Sequence, residues 1–484
     1  MKKIAIAFSV IVLAVCSICF YGCKDKNNGI TQYQIECELI GNVLTGEEKV
    51  KFYNGSENSF TELKFNLYAN AFRKDAKFRP IAEQYNHVAY PNGLSYGDIE
   101  IHGVTDGKKA LEYRIEGQDQ NILTVCLDKE VFPNECATVV INYKITLADV
   151  IARTGVNEKT INLACFYPVL CGIQNGSFYE CEYYSAGDPF FSDVADYFVT
   201  IKVNKEYTVA TSGVQESVKI QGEEKIVESK IKSARSFAMV LSKNFSVLED
   251  KVNGVDIKYY YYQDDNPEKF MEYAKKSFAL FTKLFGEYPY ECYSVVKTPF
   301  VQGGMEFPAL VMISDNLEME SFGEVIVHET AHQWWQTAVG NNEIEYGFLD
   351  EGLAEYSVVL FYENHPEYNL SREYLIKSAE NTYKIFCSVY DKINKKVNTV
   401  MVRHLKDFTS EYEYVNMAYV KPCIMYDKVR VTIGEEKFFK ALKGYYKNFK
   451  MKNATPDDLV GAFEKTGADT NGFFKSFFEG KVII

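Results

Sequence analysis

Two histidines four positions apart, His328 and His332, place the strongest constraint on how this chain can fold. They stand in the segment Val325–Trp335, with Glu329 directly after the first histidine. Residues four apart lie on the same face of an α-helix, so both imidazoles can reach one metal ion if the segment is helical. The pattern therefore predicts a helix that presents two metal ligands on one face.

The sequence also suggests where this helix begins. Ser321 is followed three residues later by Glu324, which is the spacing of a capping box, and an apolar run comes next. We therefore predict a helix from about Phe322 to the neighbourhood of Gly340.

Glu351 is the candidate third ligand, after eighteen intervening residues, at what reads as the start of a second helix. Catalytic zinc takes three protein ligands and leaves a fourth position for water. Glu329 suits a general base that acts on that water. We therefore predict one zinc ion per chain, held by His328, His332 and Glu351. The alternative, a helix with two histidines by chance, is disfavoured because the chain has only 6 His.

Three motifs together resemble the aminopeptidase N family of gluzincins, which includes leukotriene hydrolase. The first is His-Glu-x-x-His followed by Glu351 in an Asp-Glu-Gly-Leu-Ala context. The second, Gly303-Gly304-Met305-Glu306-Phe307, resembles the family's Gly-x-Met-Glu-Asn exopeptidase motif. The third, Tyr419-Val420-Lys421, resembles the Tyr-x-Lys segment that carries the family's catalytic tyrosine. The motifs occur in family order, and the resemblance covers roughly residues 30–484.

The resemblance implies an N-terminal antiparallel β sandwich or saddle domain and a thermolysin-like α+β, mostly helical catalytic domain. It implies a zinc-dependent aminopeptidase that removes N-terminal residues from peptides, with Glu329 as general base and Tyr419 stabilising the oxyanion. The segment Gly303, Gly304, Met305 and Glu306 would bind the substrate, with Glu306 facing the α-ammonium of a peptide with a free N-terminus.

The chain also departs from the family. Phe307 replaces the family's Asn, and Pro422 stands where the family usually has Gly after the Lys. The chain resembles a short form that lacks the family's C-terminal helical domain, so we expect a more open cleft or one covered by a partner. Two other readings stay open: an exported zinc hydrolase of another kind (an endopeptidase or an epoxide hydrolase), or a non-catalytic peptide-binding lipoprotein on the same fold. Intact Glu329 argues against the second, and Glu306 favours an aminopeptidase over an endopeptidase.

The hydrophobic pattern divides the chain near residue 250. Residues 29–250 contain alternating segments such as 33–39, 49–53 and 196–203, which are typical of half-buried strands in a β domain. Residues 251–484 are mostly helical in pattern and form the predicted peptidase domain. Asn266-Pro267 predicts a helix start and Gly286 its end. The stretch 309–313 resembles the edge strand that flanks the family's active-site cleft.

The resemblance also implies that a Gln or Glu of the first domain helps to bind the substrate amine. Gln174, Glu180 and Glu182 are candidates, and the alternative is that each is a solvated loop residue. Gly187-Asp188-Pro189-Phe190 resembles the family's Asp-Glu-Pro corner without its Glu.

Residues 1–23 read as a signal peptide, with a basic start, an apolar run and a lipobox-like end at Cys23, followed by a linker at 24–28. We expect an exported, extracytoplasmic protein, anchored to a bacterial membrane by a lipid on Cys23. The alternatives are an uncleaved signal anchor and an ordinary signal peptide. The net charge of −13 and the lack of a basic stripe argue against nucleic acid as a partner.

Overall fold

The computed structural model describes residues 29–394 and 396–482. The predicted signal peptide, Cys23 and the linker at 24–28 lie outside the described residues, so they stay predictions. Within the described ranges, no helix combines the length and the hydropathy that crossing a bilayer requires.

The first part of the described chain is built almost entirely of strands. In chain order these are β1 (Thr31–Ile40), β2 (Val43–Tyr53), β3 (Phe60–Asn66), β4 (Asp98–Thr105), β5 (Tyr113–Glu116), β6 (Ile122–Val131), β7 (Cys136–Thr146), β8 (Thr154–Val156), β9 (Ile161–Ala164), β10 (Val169–Leu170), β11 (Ile173–Gln174), β12 (Ser177–Phe178), β13 (Ala195–Asn204), β14 (Thr208–Thr211), β15 (Val214–Gln221), β16 (Glu224–Ala234) and β17 (Ala238–Ser242). One short helix, α1 (Asn86–Ala89), interrupts them.

These strands form one large sheet and several smaller ones. The large sheet has the order β15-β16-β13-β1-β2-β7-β4, and two four-stranded sheets have the orders β10-β3-β6-β5 and β14-β17-β9-β8. The alternation that predicted strands at 33–39, 49–53 and 196–203 is confirmed, because these segments lie inside β1, β2 and β13. Their inward side chains are buried in the hydrophobic core. The prediction of a β-rich first domain is confirmed, although β1 and β13 pair in parallel within the large sheet and not antiparallel.

The second part mixes a small sheet with helices. Its elements are β18 (Ser246–Val252), β19 (Val255–Tyr261), α2 (Pro267–Phe285), β20 (Cys292–Thr298), β21 (Gly304–Met305), β22 (Leu310–Ser314), α3 (Met319–Ala331), β23 (Val339–Gly340), α4 (Glu343–Tyr346), α5 (Phe348–Asn364), α6 (Arg372–Asn394), α7 (Glu411–Val415), α8 (Lys421–Ile433), α9 (Glu435–Phe449), β24 (Lys452–Asn453), α10 (Pro456–Glu464) and α11 (Asn471–Phe478). A π-helical turn, Asn416–Val420, joins α7 to α8.

The five-stranded sheet of this domain has the order β18-β19-β20-β22-β21. The predicted division near residue 250 falls within β18, which pairs with β19 in this sheet. The expectation that 309–313 forms the edge was wrong. β22 lies between β20 and β21, and the edge is β21 itself, because the Gly303–Glu306 segment folds back and pairs antiparallel to β22.

The histidine helix begins and ends earlier than the sequence predicted. α3 starts at Met319, after Glu318, so Ser321 lies inside the helix and caps nothing. The helix ends at Ala331, and His332 follows it with a helical backbone. A tight turn then leads into β23, which pairs with β24 and therefore cannot continue the helix to Gly340. The predicted start and end of α2 are confirmed, although the Asn266 side chain makes no capping hydrogen bond.

Buried contacts join the two domains. Arg235, fully enclosed after β16, donates hydrogen bonds to the backbone oxygens of Ser192, Gln336 and Lys452 and to the side chain of Asn453. A side chain at Gly340 would collide with the Arg235 guanidinium. Because buried donors must find acceptors, this arginine fixes the first domain against the loop that follows the histidine helix.

Candidate metal centre and peptide-binding edge

The structure brings His328, His332 and Glu351 together. The Nε2 atoms of the two histidines lie 3.1 Å apart, and Glu351 Oε2 lies 3.2 Å from His328 Nε2 and 3.1 Å from His332 Nε2. Helix α3 supplies His328, the residue directly after it is His332, and the first turn of α5 supplies the glutamate. His332 and Glu351 are buried and His328 is half-buried. Two nitrogens and one carboxylate around a common point fit a tetrahedral zinc ion with one open position.

Each histidine is oriented by a second contact. His332 donates from Nδ1 to the backbone oxygen of Trp335 at 2.9 Å, and the ring is almost fully buried. His328 Nδ1 lies 3.2 Å from Glu355 Oε2, one turn after Glu351 on α5. Metal-binding histidines commonly donate their other ring N–H to a carbonyl or carboxylate, which fixes the tautomer. Both Nε2 atoms are therefore left to face the metal position.

Glu329 points into the same centre. Its side chain is 5% exposed, and Oε2 is buried without a hydrogen-bond partner. Burial raises its pKa to about 7, and the two neighbouring histidines act in the opposite direction. A carboxylate that is free of other partners and lies beside a metal position is suited to exchange protons with a water molecule held there.

The edge strand β21 passes directly over Glu329. A Cβ built on Gly304 would lie 2.2 Å from Glu329 Oε1 and 2.5 Å from its Cδ, whereas one on Gly303 would meet only Val325 Cγ2 at 3.6 Å. Neither glycine has a positive φ, so the requirement at Gly304 is space and not backbone freedom. There is therefore no room for a side chain at Gly304, whereas there is room for one at Gly303.

This difference predicts unequal effects of two matched substitutions. We expect Gly304→Ala to lower kcat/KM about 10- to 100-fold, because the new methyl group displaces the Glu329 carboxylate from its position. Gly303→Ala should leave kcat/KM within about twofold of the parent, since the space there is open. Steady-state kinetics on both variants, each with its zinc content measured, checks this. Equal losses in the two variants would contradict the role given to the Gly304–Glu329 contact.

Glu306 directly follows the edge strand β21 and lies beside the metal set. It is 4% exposed, its Oε1 has no hydrogen-bond partner, and its oxygen falls within 4.8 Å of ligand atoms of Glu329 and His332. Burial raises its pKa well above the ordinary value for Glu, while nearby His332 lowers it. A buried carboxylate without a partner is costly unless a cation pairs with it.

The segment after Glu306 is held by the histidine helix. Gln333 accepts a hydrogen bond from the backbone N–H of Ala309 at 2.9 Å and donates to the backbone oxygen of Phe307 at 3.3 Å. The Phe307 side chain is buried in an apolar cluster with Met305. Phe307, where the resembling family has Asn, thus anchors the segment by packing, and Gln333 ties it to the residue next to His332.

Tyr419 reaches the centre from the π-helical turn. Its hydroxyl donates to Glu351 Oε1, and its ring stacks on His328 with centroids 5.8 Å apart. Lys421, fully buried, donates to the backbone oxygens of Thr399 and Phe477 at 2.6 and 2.9 Å. π-Helical turns occur mostly as short inserts at functional sites. This one lets Tyr419 face the metal set while Lys421 points into the protein.

Pro422 packs closely against the helix that supplies the third ligand. A Cβ added to Gly352 would lie only 2.5 Å from Pro422 Cβ, which is too close. α5 and α8 can therefore pack together at this point only because residue 352 has no side chain. Gly352 follows Glu351 directly. The contact therefore sets the distance between α5 and the helix that follows Tyr419.

The three first-domain candidates for amine binding lie elsewhere. Gln174 accepts a hydrogen bond from Asn342, Glu180 forms an ion pair with Lys64 at 2.5 Å, and Glu182 lines a separate small cavity. None of them belongs to the buried groups that could hold a metal among the described residues.

Asp188 is the acidic group of the first domain that reaches the centre, and sequence reasoning missed it. It is buried and paired with Arg153, and its charge acts on the pKa values of Glu306 and Glu329. The signal was present in the Gly-Asp-Pro-Phe corner, although this corner resembles the family's motif only in part. Nothing in the local pattern shows that this loop crosses to the second domain.

Comparison with known proteins agrees with this geometry. Residues 269–477 match the sequence model of the Peptidase family M1 domain. The second domain of this chain is a peptidase family M1 domain. The predicted resemblance to the aminopeptidase N family of gluzincins is thereby confirmed.

Curated relatives extend the M1 match. Aminopeptidase M1 of Arabidopsis thaliana is 24% identical over 308 residues, which cover 59% of this chain and 34% of that protein. Aminopeptidase N of Streptomyces lividans is 25% identical over 222 residues, which cover 43% of this chain and 25% of that protein. The chain thus spans about a third or less of the length of the curated relatives that it matches.

A solved structure confirms the two-domain M1 fold. The M1 zinc metallopeptidase from Deinococcus radiodurans superposes with a TM-score of 0.66 at 15% identity, covering 94% of this chain and 95% of that one. A mutant of that protein was solved bound to a Tyr-Ser-Ala substrate, with a TM-score of 0.66, 16% identity and the same coverage. At this identity the likeness shows the fold, with a β-rich domain followed by a helical catalytic-type domain.

Proposed function

We propose that this M1 chain is a zinc aminopeptidase that removes N-terminal residues from peptides. The observation that carries the proposal is the place of Glu306, an unpaired buried carboxylate with an oxygen within 4.8 Å of ligand atoms of Glu329 and His332. In a peptide, the α-nitrogen and the carbonyl carbon of one residue are only about 2.5 Å apart. A carboxylate so close to the metal position can therefore pair with the ammonium of the residue whose own carbonyl is attacked.

The donor set and the relatives support zinc in this centre. Two imidazoles and one carboxylate are the ligands of a catalytic zinc site with an open position. When bound, zinc polarises the scissile carbonyl and lowers the pKa of its water. Solved neighbours of the same fold are described as zinc metallopeptidases.

The residues of this chain then have separate roles. Glu329 accepts the proton of the attacking water and passes it to the leaving amine. The Tyr419 hydroxyl, which lies at the ligand Glu351, donates a hydrogen bond to the carbonyl oxygen as negative charge develops on it. β21 offers a free strand edge to the extended peptide, and Glu306 fixes its N-terminal end.

Removal of the metal tests the proposal. We expect the protein to release single N-terminal residues from an unblocked tripeptide and to lose at least about 90% of this activity on dialysis against a chelator, because the three ligands alone cannot polarise the carbonyl. One equivalent of zinc per chain should restore it. Release of the residues is followed by mass spectrometry, and zinc by atomic absorption. Full activity in protein shown to be free of metal would contradict the proposal.

A further inference from the structure

A second group of acids lies behind the proposed zinc centre. Glu306, Glu343 and Asp350 each place a carboxylate oxygen within 4.8 Å of the others. All three are almost fully buried, at 4%, 3% and 2% exposure. Glu343 comes from the first turn of α4, Asp350 from α5 and Glu306 from the position directly after β21. Three separate elements thus converge on one point.

Several oxygens at this point have no partner. Glu306 Oε1, Glu343 Oε2 and Gln336 Oε1 are buried without a hydrogen bond, although Gln336 donates from Nε2 to Glu343 Oε1 at 2.7 Å. The same three residues line a cavity of about 30 Å³ between the domains. A water molecule needs roughly 10–15 Å³ of such space, so the cavity holds about two. It is too small for the side chain of a lysine or arginine.

The neighbouring cations are already used. Arg153 pairs with Asp188, and the hydrogen bonds of Arg235 go to three backbone oxygens and to Asn453. Within residues 29–394 and 396–482, Glu306, Glu343 and Asp350 take part in no ion pair with a lysine or arginine. The charge of Arg235, which lines the same cavity, acts on Glu343 and Asp350, and that of His332 acts on Glu306 and Asp350. None of the three described carboxylates is bonded directly to one of these cations, and a buried carboxylate without such a partner is strongly unfavourable.

We propose that Glu306, Glu343, Asp350 and the amide oxygen of Gln336 form a second cation site, for a divalent ion with oxygen ligands, and that calcium fits it. Calcium takes six to eight oxygens at about 2.3–2.6 Å in a flexible geometry, whereas magnesium demands a near-ideal octahedron, which side chains from separate elements are less suited to provide. The cavity has room for the ion and about one water. Three carboxylates, one of which binds through both oxygens, the Gln336 oxygen and this water give six ligands. The ion would lie next to the zinc centre without sharing its histidines.

Glu306 belongs both to this cation site and to the proposed aminopeptidase site. The effect of the ion on substrate binding therefore rests on the proposed function. A bound ion would reduce the negative charge that Glu306 offers to a peptide ammonium. Binding of the ion itself does not depend on catalysis. It can therefore be measured without any substrate, so failure of the cation site and failure of the aminopeptidase proposal are separate results.

The experiment is isothermal titration of calcium chloride into the zinc-loaded protein. Glu343→Gln is the test variant, because it removes one charge and keeps the shape. Glu345→Gln is the matched control: it makes the same change on the same helix, but Glu345 accepts a hydrogen bond from Tyr179 and does not line the cavity. Gln336→Met removes the amide oxygen without changing the charge. Zinc content and thermal unfolding are measured for each protein.

We expect the parent and Glu345→Gln to bind one calcium per chain with a Kd of about 1 mM or tighter. Glu343→Gln should weaken binding at least tenfold, and Gln336→Met at least twofold, with zinc content unchanged. Absence of calcium binding by the parent would overturn the proposal, and so would equal binding by the parent and both test variants. If Glu343→Gln fails to fold, the comparison of Gln336→Met with the parent decides.

Discussion

Glu329→Gln is expected to lower kcat/KM for an unblocked peptide by about 10³-fold or more. The amide has nearly the shape of the carboxylate but cannot accept the proton of the attacking water. Glu329 is buried, and its Oε2 has no hydrogen-bond partner, so the parent carboxylate is free to take this proton. The metal ligands His328, His332 and Glu351 are untouched, so zinc content should stay at one per chain.

The control for this variant lies on the same helix. Glu320 is exposed in the first turn of α3, and Glu320→Gln makes the same charge change away from the centre. We expect its kcat/KM to lie within about twofold of the parent. Steady-state kinetics and metal analysis on both variants separate a chemical role from loss of zinc. If the Glu329→Gln protein has full zinc and keeps more than about a tenth of the parent activity, Glu329 is not the general base.

Glu48→Gln is expected to stabilise the protein, by an amount that grows with pH. Glu48 is fully buried in β2, both its oxygens lack partners, and burial raises its pKa well above the ordinary 4.5. Below pH 4.5 the acid is protonated in the folded and in the unfolded chain. As the pH rises, the unfolded chain ionises while the folded one stays protonated, so the free energy of unfolding falls. Each pH unit costs about 1.4 kcal/mol until the folded pKa is reached.

Thermal unfolding at two pH values measures this effect. Between pH 5 and pH 7.5, the Tm of the parent should fall relative to that of Glu48→Gln, because the unfolded chain releases the Glu48 proton at lower pH than the folded chain does. Glu47→Gln, on the neighbouring exposed position of the same strand, should show the pH dependence of the parent. A constant difference in Tm between Glu48→Gln and the parent at both pH values would show that Glu48 does not titrate as its burial requires.

Glu48 also shows why part of the fold could not be predicted from the sequence. The alternation in β2 places Glu48 on the same face as Val50 and Phe52, which are buried. A glutamate would ordinarily mark the solvent face, so pattern alone predicts the strand and not the place of this residue. The strands themselves were predictable because an apolar period of two, kept over several residues, matches the geometry of a strand and not that of a helix.

In the metal centre, too, some features could be predicted from the sequence and others could not. The spacing of His328 and His332 predicted the shared helix face, because this depends only on helical geometry. Both ends of the helix were predicted wrongly. At the start, Ser321 and Glu324 have the residue types and spacing of a capping box, but the helix begins at Met319. The end before Gly340 depends on the pairing of β23 with β24, more than a hundred residues away in the chain. Tertiary contacts of this kind leave no local signal.

The acids around Glu306 were not predictable for the same reason. Asp188 and Glu343 come from loops and short helices that are far apart in sequence, and the domain interface brings them together. The sequence shows which residues are acidic but not how far apart they lie in the folded protein. The first domain thus contributes charge to the centre through Asp188, a residue whose motif was visible in the sequence but whose distance from the centre was not.

Cleavage of one short peptide compared with its N-acetylated twin tests the central claim most directly. The protein used is the zinc-loaded chain, and initial rates are followed for both peptides at equal concentration. Our account predicts that the free peptide loses its N-terminal residue while the acetylated twin is cut at least about 10³-fold more slowly, because the twin leaves buried Glu306 without a cationic partner. Equal cleavage of the two peptides would contradict the aminopeptidase proposal and indicate a metallo-endopeptidase.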